Sequence, residues 1–341
     1  MEALLEINKY LRPLNSVAIF DPAIATRNAG DEIISDAARR QIRRVLPSAF
    51  QATIPTHERI FTRSYRFCTQ ADSKIIAGSN ILTANMLTDR QWRLRPWDLP
   101  FVKDLIGLGV GWRHYNQPRN KLSDVMMRRV LSKTGWHSAR DEHTRQELIK
   151  RGVKNVLNTA CVTMWDLDLP KLQNLPLVKS KRAVTTVNIG RKSQDDSSFL
   201  ELLCGEYEEV FIWPQGIDDE PYVDLLMKKN PKLKRLGPTL AAYDELLASS
   251  DGIDFVGNRL HAGIRALQHG RRALILSVDN RASEIARDTN LPVLSMSDGI
   301  EMVRKGINQP RPIEITLPVE AIEKWRAQFE RRVEAGGIDV T

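Results

Sequence analysis

The segment Asp254-Phe-Val-Gly-Asn-Arg-Leu-His261 combines the residue types that acid–base chemistry on an anionic substrate requires. An apolar strand ends at Val256, Gly257 permits a tight turn, and Asn258 is placed to cap a helix that begins with Arg259. In open α/β sheets, ligands bind beyond the carboxyl ends of strands, where the next helix offers unpaired N–H groups and a partial positive charge. A guanidinium there grips a carboxylate or phosphate through two parallel hydrogen bonds. An imidazole two residues on can take a proton from a hydroxyl near neutral pH. The plain alternative for His261 is a helix-start histidine bonded only to backbone. Trp213-Pro-Gln-Gly216 ends another strand and brings Gln215 to the same edge as a donor contact, with a simple strand-to-helix turn as its alternative. Asn28-Ala-Gly-Asp31 follows the first strand, so Asn28 and Asp31 either cap the next helix or bond acceptor hydroxyls across a cleft. In Ser138-Ala-Arg-Asp141, Arg140 and Asp141 read as a pair at a helix start, scaffold more than site.

Strands must hold these residues, and the chain supplies them in alternation with helices. Ser16 to Phe20, Lys74 to Ala77, Leu105 to Val110 and Asn155 to Leu157 read as strands. Helices are expected from Glu32 to Leu46, Leu122 to Ser132 and Asp141 to Arg151. A stretch from Asp166 to Lys181 with two prolines and no sustained period reads as a linker. The pattern then restarts, with strands at Ala183 to Asn188, Val210 to Trp213, Gly252 to Val256 and Ala273 to Val278. Helices near Ser197 to Cys204, Glu220 to Lys229, Leu240 to Ser249 and Arg259 to His269 separate them. Short runs, apolar on both faces, belong in the middle of parallel sheets. The expectation is an α/β chain of two facing Rossmann-like domains, 1–178 and 179–315. A last amphipathic helix, Val319 to Val333 within 316–341, would cross back to the first domain.

At 341 residues, with 42% apolar and 27% charged side chains, the chain suits two folded domains. No apolar run approaches the ~18 residues of a membrane span, and Met1 to Leu5 lack the pattern of a signal peptide. Cys68, Cys161 and Cys204 are unclustered, which fits a reducing cytoplasm. His57, His114, His137, His143 and His269 lack ligand spacing, so no metal is expected. Neither a Walker loop nor a Gly-x-Ser-x-Gly elbow is present, and Gly107-Leu-Gly-Val-Gly111 makes a poor dinucleotide fingerprint. The net charge of +8 favours an anionic partner. It concentrates in Arg113, Arg119, Lys121, Arg128, Arg129 and Lys133, opposed by Asp124, and again in Arg39, Arg40, Arg43 and Arg44. Each cluster is either a solvated face or a surface drawn to anionic lipid headgroups or a lipid-linked pyrophosphate. Nucleic acid is not expected, because no recognition helix or aromatic-rich sheet motif accompanies the charge.

The run Gly257-Asn-Arg-Leu-His-Ala-Gly-Ile-Arg-Ala-Leu-Gln-His-Gly270, followed by Ala273-Leu-Ile-Leu and Asp279-Asn-Arg, resembles the C-terminal signature of polysaccharide pyruvyl transferases. Asn28-Ala-Gly-Asp31, Ala77-Gly-Ser-Asn80, Ser138-Ala-Arg-Asp-Glu142 and Asn158-Thr-Ala-Cys-Val-Thr-Met-Trp165 resemble further segments of that family in the same order. The resemblance spans about residues 16 to 300. It implies the two-domain GT-B glycosyltransferase layout and phosphoenolpyruvate as donor substrate, with no bound metal or other cofactor. Arg259-Leu260-His261 would form the donor-binding and catalytic triplet, with His261 as acid/base and Asn258 beside it. Arg191, after Val187-Asn-Ile-Gly190, matches a second donor-binding arginine through a shorter motif. Asn80 joins Asn28 and Asp31 on the acceptor side. The chain departs from the family where Gly78-Ser79 replaces two glycines and Ala160-Cys161-Val162 replaces Gly-Cys-Pro.

The expected activity is therefore transfer of a pyruvyl group onto sugar hydroxyls of a polysaccharide or its precursor, forming a ketal. Two alternatives stand beside it: a nucleotide-sugar glycosyltransferase of the same layout, and a non-catalytic glycan-binding relative. Expected partners are phosphoenolpyruvate and a saccharide acceptor, lipid-linked or free, with the protein cytoplasmic or peripheral at the inner face of the membrane. The residues from Thr53 to Ser64 and Asp89 to Pro100 give no acceptor reading.

Overall fold

Twelve strands pair in parallel throughout the described residues, each short enough to cross a sheet once. The structure is a computed structural model that describes residues 16–334 apart from 90, 116, 176, 192–194, 279 and 311. The signal-peptide reading at Met1 to Leu5 and the motif residue Asp279 lie outside the described residues. The first half runs β1 (Ser16–Asp21), α1 (Ala29–Val45), β2 (Phe50–Pro55), α2 (Thr62–Gln70), β3 (Ser73–Ala77) and β4 (Ile106–Leu108). It continues with α3 (Lys121–Val130), β5 (His137–Ala139), α4 (Glu142–Lys150) and β6 (Val156–Asn158). A short helix, α5 (Leu169–Gln173), interrupts the expected linker, capped by the Asp168 side chain on the Lys171 N–H. The second half runs β7 (Arg182–Thr185), α6 (Asp195–Glu206), β8 (Glu209–Ile212), α7 (Glu220–Lys229), β9 (Leu233–Arg235) and α8 (Leu240–Ala248). It ends with β10 (Ile253–Gly257), α9 (Leu260–Gln268), β11 (Ala273–Ser277), α10 (Asn280–Thr289), β12 (Val293–Ser295), α11 (Ile300–Asn308) and α12 (Val319–Glu334).

The first sheet has the order β2-β1-β3-β4, and β5-β6 extend it through the Val110–Ala139 bridge. The buried His137 strengthens that seam, because its Nδ1 accepts from the Gly107 N–H while its Nε2 faces the Ser132 carbonyl. Burial lowers its pKa and keeps it neutral. The second sheet has the order β12-β11-β10-β7-β8-β9, a doubly wound arrangement that reverses direction between β7 and β10. The first reverses between β1 and β3. At each reversal adjacent loops diverge and open a crevice at the carboxyl ends of the strands.

Strands β2, β5, β9 and β12 and helices α2, α5, α10 and α11 lie outside the pattern expected from the sequence, and β2 and β5 show why. β2 is an edge strand with a single buried side chain, Ile54, and a terminal proline, so it shows no apolar run. β5 is fully buried but reads His-Ser-Ala, satisfied by hydrogen bonds instead of apolar packing.

The last helix, α12, packs on the first sheet. Trp325 donates its indole N–H to the Gly107 carbonyl at 3.0 Å and meets Trp165 and Phe329 edge-on. Gln328 bonds both the N–H and carbonyl of Trp136, and Arg326 donates to Gln41 of α1. The halves also meet at the cleft, where Ala29 N–H donates to Gln215 carbonyl and Ile217 N–H to Arg27 carbonyl.

Candidate active site

Both switch points face one small cavity of about 150 Å³. From the first half it is lined by residues that follow β1, β3 and β5, among them Asn28, Asp31, Asn80 and Arg140. From the second come residues that follow β7, β8, β10 and β11: Asn188, Gln215, Asn258, Arg259, Leu260, His261 and Ser277. Every expected site residue except Arg191 lies in this lining. Arg191 is exposed in the single turn Ile189–Arg191 beyond β7, and Asn188 occupies the wall instead.

The turn after β10 differs from its expected form. Gly257 is the last residue of the strand, and a Cβ on it would lie 2.7 Å from Thr186 Oγ1 and 2.8 Å from Thr186 N. The glycine is required by the close passage of the chain after β7, not by a tight turn. Asn258 does not cap the helix. The cap position belongs to Arg259, whose N–H donates to Thr186 Oγ1 at 3.2 Å, and no side chain caps the first turn. The opening N–H groups of α9 are thus available to an anion. Asn258 Oδ1 is buried with no hydrogen-bond partner among the described residues.

Arg259 is aimed by Asp219, a buried carboxylate whose Oδ2 pairs with the guanidinium. The same carboxylate accepts from Ile189 N–H at 2.9 Å and Gly216 N–H at 3.1 Å. One side chain therefore ties together the loops after β7, β8 and β10. His261 sits on the first turn of α9 with Nε2 3.8 Å from Cys161 Sγ. Burial raises the Cys161 pKa, so the thiol stays protonated beside the imidazole. Asn28 does cap α1, accepting from Gly30 N–H at 3.0 Å, and its Oδ1 also accepts from Gln215 Nε2 at 2.8 Å across the cleft. Asp31 accepts from the Thr26 hydroxyl at 2.7 Å and lies 3.8 Å from His57 Nε2. Burial pushes its carboxyl above the ordinary range, against the pull of Thr26, His57 and Arg259.

Arg140 and Asp219 were not read as site residues. Arg140 does pair with Asp141, Nε to Oδ2 at 3.0 Å, but the pair is buried and Arg140 lines the cleft. Its Nη2 has no hydrogen-bond partner among the described residues, and neither has the neighbouring Asn80 Oδ1. A buried polar atom left without a partner costs about 1–3 kcal/mol, so these atoms call for a partner from solvent or from a ligand. The signal was present in Ser138-Ala-Arg-Asp141, whose helix start needs only Asp141 as its cap. Asp219 gave no signal, since two of its three partners, Ile189 and Arg259, come from loops distant in sequence.

Two of the departures noted in the sequence fall on left-handed backbone. Ser79 has φ +68° and Ala160 φ +59°, a region glycine enters freely and L side chains enter at a cost.

Parallel sheets reversing at a shared cationic crevice define an α/β enzyme with GT-B-like Rossmann architecture. UDP-N-acetylglucosamine 2-epimerase from Rickettsia bellii shares this fold, at 11% identity and TM-score 0.52 over 94% of this chain and 96% of that one. The UDP-GlcNAc 2-epimerase from Neisseria meningitidis aligns at 12% identity and TM-score 0.49, over 94% and 100% of the two chains. No curated protein sequence matches the chain. The profile of the family described as Polysaccharide pyruvyl transferase matches residues 28–280. The chain belongs to the polysaccharide pyruvyl transferase family, an enzyme family, and this membership supports pyruvyl transfer from phosphoenolpyruvate.

Proposed function

We propose that the chain builds a cyclic pyruvate ketal on a saccharide, with Arg259 and His261 carrying the donor chemistry. Arg259 and the opening N–H groups of α9 hold the phosphate or carboxylate of phosphoenolpyruvate. Leu260, Asn258 and Gln215 complete the donor side, and Asn28, Asp31 and Asn80 the acceptor side. A proton adds to the donor's methylene carbon, using the C2–C3 π pair and leaving C2 cation-like. A sugar hydroxyl oxygen bonds to C2 and gives up its proton through His261. A second hydroxyl of the same saccharide then bonds to C2 as the bond from C2 to the phosphate oxygen breaks. Of the two hydroxyl protons, one balances that added to the methyl carbon and the other leaves with phosphate.

One observation carries this reading: guanidinium and imidazole converge on a cavity of about 150 Å³ at a helix start. Pockets for drug-sized ligands run to ~300–1,000 Å³, so the volume suits a three-carbon phosphate better than a nucleotide sugar. The domain reading that accompanies it is an acceptor half, 1–178, a donor half, 179–315, and a terminal segment, 316–341. Closure of the halves would exclude water. The acceptor is a polysaccharide or its precursor, and the +8 charge supports peripheral attachment at the inner face of the membrane.

Thermal shifts with phosphoenolpyruvate and, separately, with nucleotide sugars test the donor. At a hundredfold excess over Kd the true donor stabilises by about 2.7 kcal/mol. A shift with nucleotide sugars alone sinks the reading, as does the absence of phosphate release with any vicinal or 1,3-diol saccharide.

A further inference from the structure

We propose that a basic groove at the opposite end of the first sheet from the cleft docks the protein on an anionic lipid bilayer. The cleft residues Asn80 and Arg140 follow β3 and β5, whereas Lys103 precedes β4, Lys133 precedes β5 and Lys154 precedes β6. Because the strands are parallel, these lysines gather at the amino edge. They and the last turn of α3 line an open groove of about 910 Å³ with an adjoining hollow. Lys103, Arg128, Arg129, Lys133 and Lys154 face it, with Asp104 as the one acid in the lining.

Folding divides the basic clusters of the sequence and leaves Arg128, Arg129 and Lys133 of one of them on this face. Arg113 pairs with Asp89, Arg119 with Asp124, Arg39 with Asp21, and Arg40 with Asp36 and Asp166. None of the five groove cations has an ion-pair partner among the described residues. Arg128 spends one N–H on the Arg151 carbonyl. The rim adds apolar groups in water: Trp97 is 63% exposed, Leu122 51% and Val125 40%. Leu122, Val125 and Arg129 share one stripe of α3. Arg95 lies 4.8 Å over the Trp97 ring and steadies it.

A site for one small phosphorylated ligand would bury its cations. Here four of the five are exposed, Arg128 is half-buried, and they are spread along a wide surface beside an exposed indole. That combination fits the headgroup layer of a bilayer, where cations meet lipid phosphate and tryptophan sits at the apolar boundary. The proposal rests on the peripheral attachment inferred above and is independent of the donor chemistry.

Sedimentation of the full chain with vesicles of phosphatidylcholine, with and without roughly one-third phosphatidylglycerol, reads it out. Binding is expected only to the anionic vesicles and should be lost at high salt. Lys103→Ala, Arg129→Ala and Lys133→Ala together should weaken it about a hundredfold, near fivefold per charge, with Tm and phosphate release on a soluble acceptor unchanged. Trp97→Ser should weaken it several-fold at constant charge. A triple variant that binds as well as the native chain overturns the groove while leaving attachment by another face intact. A native chain that ignores anionic vesicles overturns both. Equal binding to heparin, unaffected by Trp97→Ser, overturns the bilayer as occupant.

Discussion

The cleft and the groove are both basic, but they are built in opposite ways. In the cleft, Arg259 lies against the buried Asp219 and Arg140 against the buried Asp141. In the groove, five cations stand without ion-pair partners among the described residues. A carboxylate behind a guanidinium gives up some net attraction for a fixed direction, which positioning one small anion demands. A surface that meets many mobile headgroups needs charge and gains nothing from fixed geometry. Formal charge along the chain therefore says little until the partners of each cation are known.

Breaking the cleft should cost turnover that breaking the groove leaves intact. His261→Ala should lower kcat at least a hundredfold with Tm little changed, read by phosphate release. Full activity in that variant would remove its proton-transfer role. Arg259→Ala should raise KM for phosphoenolpyruvate about tenfold or more, the loss of a charge-assisted bond. Asp219→Asn tests whether direction matters: KM should rise several-fold while kcat falls less, because the guanidinium remains but is no longer aimed. An unchanged KM would make Asp219 a loop tie only.

Arg265 of α9 joins the halves and is itself held by Asp244 of α8. Burial raises the Asp244 carboxyl, but bonds from Arg265 and His269 outweigh it and hold the pKa at about 2. The same Arg265 reaches Asp36 of α1 at 3.1 Å. A carboxyl depressed on folding stabilises the native state above its unfolded pKa of 3.8 and loses that contribution as pH falls toward 2. Up to roughly 2 kcal/mol should disappear across that window, and Asp244→Asn should flatten the acid limb of a denaturation series. The smallest effects are expected from Ser79→Gly and Ala160→Gly, each raising stability by about 0.5–1 kcal/mol by relieving left-handed backbone. A lower Tm in either would show that the side chain contributes more than the strain costs.

Much of the fold was legible because buried parallel strands must be short apolar runs, as β1, β10 and β11 are. β2 and β5 were not, since an edge strand and a hydrogen-bonded polar strand carry no such run. Within the site, Arg259, His261, Asn28 and Gln215 were readable because each follows a recognisable strand. Arg140 reads from the sequence as the partner of Asp141 alone, and the capping position expected for Asn258 belongs to Arg259, tethered through its backbone to Thr186.

By itself the sequence determined the alternation of strands and helices and the residue types of the turn after β10. These are local matters, fixed by periodicity and by residue types within one turn. Only the tertiary structure decided which carboxylate directs Arg259, that Arg140 faces the same cavity, and which cations of each basic cluster are neutralised. Each depends on loops far apart in the chain meeting at strand ends, and contacts of that range leave no mark on spacing.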